Sequence, residues 1–205
     1  MKRGNQATLA LAPILVLLAL FFACATMPYF NVDYRLPPES ALLQTHRAYL
    51  AIEDRREVKE VLGPGARQDL TDFSGNWSLS VARGTDTGFR VGIFDLEGLL
   101  KEGFKRRMAA SGLTVVPRTE KDAIGIVVAL ETFSLDLVNR RWRVRMGYEA
   151  ALVREGKVLA RQVISGEGER LKLFGRREAE RAVGDTLTDV LNRLDLGRLF
   201  RQAGI

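Results

Sequence analysis

The sequence predicts an α+β fold, a two-layer sandwich in which a mainly antiparallel sheet carries two helices on one face. Three observations lead there. Between Trp142 and Leu152 apolar and polar residues alternate with the period of two that gives a strand one buried face. Leu96, Leu100, Phe104 and Met108 recur at steps of four, and so do Ala179, Val183, Leu187 and Leu191. Each helix therefore has one apolar stripe, and one stripe needs one surface to cover. The chain of 205 residues, 46% apolar and 27% charged, has the composition of a folded protein and the length of a single core.

The chain starts with Lys2 and Arg3, and Ala7 to Ala23 then runs 17 residues without a charge. A positive start before a short apolar stretch is the pattern of a secretory signal. A bilayer span takes about 20 apolar residues, and Pro13 inside this run would cost a helix interior about 3 kcal/mol. The run is therefore expected to be a signal over residues 1–23. Cys24, the only cysteine, stands directly behind Phe21-Phe22-Ala23. This arrangement resembles the lipobox of bacterial lipoproteins, in which a small residue precedes a cysteine that is lipidated and becomes N-terminal. Phe21 and Phe22 depart from the usual lipobox residues, whereas Ala23 fits. The resemblance implies a lipid anchor on Cys24. Ala25 behind it implies the outer membrane by the enteric sorting rule.

Residues 24–46 read as a lipidated tether holding a short edge strand. Phe30, Val32, Tyr34 and Leu36 alternate with polar residues until Pro37-Pro38 ends the pattern, since proline cannot donate to a ladder. Residues 47–205 read as one domain. Arg47 to Asp54 is a strand, Gly63-Pro64-Gly65 a loop, and Trp77 to Val81 a further strand. Asp95 is placed to cap a helix beginning at Leu96, and Gly112 to end it in the left-handed conformation that glycine adopts cheaply. A short strand follows at Leu113 to Pro117. Ala123 to Val138, Trp142 to Leu152 and Val158 to Gly168 then form a meander, turning at Asn139-Arg140 and Glu155-Gly156-Lys157. The last element is one helix over about Arg176 to Phe200.

Chemistry-bearing residues are few. One cysteine excludes an internal disulfide and multi-cysteine metal clusters. One histidine, His46, excludes two-histidine zinc sites and leaves a hydrolytic triad a single possible base. Nothing in the sequence sets a nucleophile beside it, and the serines near Trp77 lack the G-x-S-x-G elbow. Glu53 and Asp54 are adjacent on a strand, so they point to opposite faces and do not converge on one substrate. No spacing suggests a metal or an organic cofactor, and the expectation is a protein that is not an enzyme.

Arg141, Arg143 and Arg145 share one strand face, about 7 Å apart, and form the candidate surface for a partner or an anionic ligand. The competing expectation pairs them with Glu131 or Asp136 on the preceding strand and Glu167 or Glu169 on the following one. The net charge of +6 becomes +4 over 182 residues once Lys2 and Arg3 leave with the signal, and that compartment argues against nucleic acid.

The segments AIEDRREVKEVLGPGA, FDLEGLLKEGFKRRMAASGLTVV and RVRMGYEAALVREGKVLARQVISGEGE, ahead of a long terminal helix, give the chain a layout over residues 47–200 that resembles the YajG-type small lipoproteins of Gram-negative bacteria. The layout is also similar to auxiliary lipoproteins of envelope ABC transport systems and to the lipoprotein of lipopolysaccharide assembly. The resemblance implies a non-catalytic accessory module facing the periplasm. It would be held by lipidated Cys24 and would dock an envelope protein, a lipid or a second copy of itself. A lipid- or glycan-binding protein using the arginine row is the alternative.

Overall fold

Eight strands form two sheets in the computed structural model, which describes residues 29–119 and 124–205. The signal segment and Cys24 lie outside the described residues. Strands β1 (Tyr29–Leu36), β3 (Asn76–Arg83) and β4 (Phe89–Phe94) make a three-stranded sheet in the order β1-β3-β4. Strands β2 (Arg47–Asp54), β5 (Thr114–Val115), β6 (Ile124–Val138), β7 (Arg141–Arg154) and β8 (Lys157–Leu171) make a five-stranded sheet in the order β5-β2-β6-β7-β8. The described helices are α1 (Pro64–Asp69), α2 (Leu96–Ala110), α3 (Arg177–Asn192) and α4 (Leu196–Gln202).

The α+β class and the antiparallel meander β6-β7-β8 follow the sequence pattern. The sheets are mixed, however. β1 runs parallel to β3, and β2 runs parallel to both β5 and β6. β2 reaches β6 only after β3, β4 and α2, and a crossover of that length permits the parallel pairing that a hairpin cannot make. A second sheet was not among the sequence expectations. β4 escaped them because Phe89 to Phe94 carries little alternation, and its exposure is correspondingly irregular.

β1 is an edge strand, as its spacing predicts, and it belongs to the core. Phe30, Val32, Tyr34 and Leu36 are all buried. Phe30 packs on Phe73 and Trp77, and Trp77 meets Phe133 of β6 edge to face at 5.6 Å. The two sheets thus share one apolar interior, and it includes Phe30, Val32, Tyr34 and Leu36, inside the stretch read as tether. Pro64 opens the short helix α1 within the segment expected to be loop.

α2 follows the sequence reading closely. The Asp95 carboxylate accepts from the Gly98 amide at 2.8 Å, and Gly112 closes the helix at φ +82°. The terminal helix divides in two. Asp195 leaves helical geometry and caps α4 by accepting from the Arg198 amide at 2.8 Å, so a new helix begins where an unbroken stripe was expected. Helix α3 lies close on β8 because Gly166 and Gly168 face it. A Cβ on Gly166 would stand 2.6 Å from Val190, and one on Gly168 would stand 2.3 Å from Thr186.

Candidate functional site

The five-stranded sheet has one covered face and one open face. On the covered side Phe104 of α2 meets Tyr148 at 5.0 Å. The Tyr148 hydroxyl reaches α3, and Gln162 bonds the Asp195 backbone at the start of α4. Helices α2, α3 and α4 therefore lie on the side to which Trp142, Val144, Met146 and Tyr148 point. Arg141, Arg143 and Arg145 alternate with those residues and occupy the open face, as their spacing predicts.

The cross-strand register then places acids beside them. Arg143 stands opposite Glu169, and Arg145 opposite Glu167. Arg145 Nε lies 3.0 Å from Glu167, and Arg143 Nε lies 2.7 Å from Glu169. The Arg143 contact is an ion pair whose N–H does not point along the line to the oxygen. Arg141 shares Glu169 at the longer distance of 3.9 Å. Two glutamates thus face three guanidinium groups, and the row keeps an excess of one positive charge.

Of the acids on the preceding strand, Asp136 is engaged elsewhere. Its Oδ1 accepts from the amides of Gly65 at 3.0 Å, Ala66 at 3.1 Å and Leu137 at 2.8 Å. A side chain from β6 thereby caps α1, which has no capping side chain of its own. Glu131 sits at the irregularity of β6 between Leu130 and Thr132. It lines an open groove of about 480 Å³ with Arg55, Glu57, Val58, Phe133 and Arg145.

Away from the arginine row the open face mixes apolar side chains with the charged Glu53, Glu149 and Arg161, the last two 3.6 Å apart. Ala51, Val127 and Ala151 form one cross-strand row, and Tyr49, Gly125 and Val153 the next. The Tyr49 ring lies over Gly125, where a Cβ would collide with it, and the Arg118 guanidinium stands 5.7 Å above that ring. Val163 of β8 is 74% exposed on the same side. The open face thus sets apolar rows among ion pairs.

Glu53 and Asp54 diverge, as adjacent strand residues must. Glu53 binds Arg55 at 2.6 Å, and Asp54 binds Arg56 at 2.9 Å. The hydrogen bond from the nearly buried Arg56 side chain, with smaller contributions from its amide and from Lys59, outweighs desolvation and holds the Asp54 carboxyl well below the usual carboxylate range. The His46 ring packs edge to face on Phe200 at 4.9 Å, and its Nδ1 lies 3.4 Å from the Thr45 hydroxyl. The sequence reading overlooked Leu171, Leu173 and Phe174, which are exposed at and just past the end of β8. Their signal was available: three large apolar residues follow the predicted end of the strand.

No family model matches the chain, and no curated protein matches it. Solved structures do. A Xanthomonas campestris protein of the family described as DUF330 superposes with a TM-score of 0.56 at 14% identity, covering 87% of this chain and 97% of that one. An uncharacterized protein superposes at 0.40 with 10% identity, covering 80% of this chain and 94% of its own. A Caulobacter crescentus CB15 protein provisionally described as a lipoprotein superposes at 0.34 with 15% identity, covering 53% and 80%. At 14% identity the likeness to the Xanthomonas campestris protein is one of architecture, and it extends over 87% of this chain. The chain has the fold of the Xanthomonas campestris DUF330 protein.

Proposed function

We propose that the chain is a non-catalytic envelope lipoprotein, held at the outer membrane through lipidated Cys24 and facing the periplasm, where it docks a protein partner as an accessory or transport-auxiliary module. The placement rests on the sequence: the only cysteine falls directly behind a charge-free run of 17 residues that a positive start precedes. The observation that carries the docking role is the open face of the five-stranded sheet. Its half-exposed Ala51, Val127 and Val153 and its exposed Val163 lie among the ion pairs Arg143–Glu169, Arg145–Glu167 and Arg161–Glu149, and apolar area interleaved with polar groups is the anatomy of a protein interface. A lipid- or glycan-binding role for Arg141, Arg143 and Arg145 is less favoured, because Glu167 and Glu169 already occupy the guanidinium groups.

Palmitate labelling with membrane fractionation, comparing the wild-type chain with Cys24→Ala, tests the anchor. Label on the wild type alone is expected, and equal labelling of both or a soluble wild type would refute it. A photo-activated cross-linking residue at the exposed Val163, irradiated in intact membranes, tests the docking face. A discrete protein adduct is expected there, and its absence would remove the role from this face.

A further inference from the structure

Three of the exposed large apolar side chains follow one another closely at the end of β8. Leu171 is 51% exposed, Leu173 60% and Phe174 89%. Isolated exposed apolar residues are ordinary on a folded protein, but three within four positions make a patch. The patch sits among basic groups. The Lys172 amide donates to the Arg140 carbonyl at 2.9 Å, which ties the segment to the β6–β7 turn. Arg140 and Arg177 form no ion pair among the described residues, whereas Lys172 pairs with Asp69. Leu173 lines a groove with Arg140, Lys172 and Asp69, which leaves a cationic excess beside the apolar side chains. That is the composition of a segment that enters a lipid interface, the rings and methyls reaching inward while the cations stay with anionic headgroups.

The position of the chain's beginning says which surface is available. Arg176, two residues after Phe174, stacks its guanidinium 5.8 Å from the Phe30 ring and pairs with Asp72. Phe30 is the second residue of β1, which starts at this end of the molecule opposite Asn76 and runs away from it. Tyr29, the first described residue, therefore stands at the end of the molecule that carries the Leu171–Phe174 segment. Cys24 lies five residues upstream in sequence, so a lipid on it could not stand more than about 18 Å of extended chain from Tyr29. Two residues of backbone, about 7 Å, separate Phe174 from Arg176. A lipid on Cys24 would thus stay within reach of the bilayer that the patch could touch.

We propose that Leu171, Leu173 and Phe174 form a second, non-covalent membrane contact, inserting into the interface of the bilayer that carries the lipid on Cys24, with Arg140 and Arg177 on its headgroups. This inference rests on the anchoring reading above. The contact would fix the orientation of the domain: a lipid on a short tether holds a protein near a membrane without choosing which side faces it, and a second contact chooses. The five-stranded sheet then stands at a set angle to the bilayer.

The test uses the full chain taken from its membranes and reconstituted in phosphatidylethanolamine–phosphatidylglycerol vesicles, with and without brominated acyl chains. Trp77 and Trp142 are both fully buried and supply a background measured on the wild type. Phe174→Trp adds one indole at the patch, and Val163→Trp adds one on the open sheet face. The expected result is blue-shifted emission from Phe174→Trp that brominated lipid quenches, with emission from Val163→Trp unchanged. Water-like, unquenched emission from Phe174→Trp on vesicle-bound protein overturns the inference and leaves the patch to a protein partner. Equal quenching at both positions overturns it as well. The mass of the Cys24 peptide from the same preparation separates the two readings. An acylated cysteine with unquenched Phe174→Trp sinks the patch contact alone, and an unmodified cysteine with quenched Phe174→Trp sinks the anchor alone.

Discussion

Tyr148, in the middle of β7, donates its hydroxyl proton to the main-chain carbonyl of Val190, 3.1 Å away in the last turn of α3. Carbonyls in that turn have no helical amide ahead of them, so the bond satisfies an acceptor that the helix leaves over. Tyr148→Phe keeps the ring and strands the carbonyl. The expected loss is about 1–1.5 kcal/mol of unfolding free energy, read from the urea midpoint at unchanged slope.

Burial raises the hydroxyl pKa of both Tyr148 and Tyr34 above the ordinary value of 10.0. Protonated in the fold, both hydroxyls ionise near the ordinary value once the chain opens, so stability present below pH 10 falls as the pH rises further. Their tyrosinate absorbance should therefore appear together with the loss of circular dichroism. Ionisation of Tyr34 and Tyr148 ahead of unfolding would contradict their burial.

Asp54 provides the acid counterpart. Its carboxyl pKa is depressed by the Arg56 bond, so its contribution is complete above the ordinary carboxylate value and fades as the pH falls toward the folded one. Asp54→Asn leaves the nearly buried Arg56 without its anion. Since Asp54 itself keeps about a third of its surface in water, the expected cost near neutral pH is about 1–2 kcal/mol, below that of a fully buried pair. Between about pH 4 and pH 2 the difference between wild type and variant should shrink, which denaturation at several pH values measures.

Asp136→Ala removes the only side chain that caps α1. With the amides of Gly65 and Ala66 left open, a loss of about 1–2 kcal/mol is expected. Faster hydrogen exchange confined to residues 63–70 is the accompanying signature; a uniform acceleration across the domain would contradict a local cap.

Exchange of Arg141, Arg143 and Arg145 for glutamine together tests the arginine row of the open face. Exposed pairs contribute about 0.2–1 kcal/mol each, so the triple variant should stay folded with a modestly lower midpoint. Its co-sedimentation with anionic vesicles should equal that of the wild type. A strong loss of sedimentation would restore the anionic-ligand reading of the row.

Legibility in the sequence followed the range of each interaction. The α2 caps at Asp95 and Gly112 and the alternation of β7 act over a few residues, and local pattern exposed them. The arginine row and its glutamates were visible because a meander sets register through its own turns. The parallel partners of β1 and β2 depend on segments far along the chain, and periodicity carries no address for them. The Asp136 cap is invisible for the same reason: its recipient amides lie 70 and 71 positions earlier. The break before α4 could have been read, since Asp195 offers the same capping chemistry as Asp95, but the apolar stripe running past it masked the signal.

The Asn31 amide and side chain both bond Glu180, 149 positions later. The first described strand is thus clasped by the last long helix, and the order of assembly follows from it. Phe30 meets Phe73 and Trp77 early on a growing chain, but the side of β1 that faces α3 is covered only by residues that come last, because loop closure has to wait for them. The polypeptide therefore cannot complete its core until its final segment is free. A product that stops short of α3 would leave bare the parts of β1 and β8 on which that helix packs, exposed to proteases and prone to self-association.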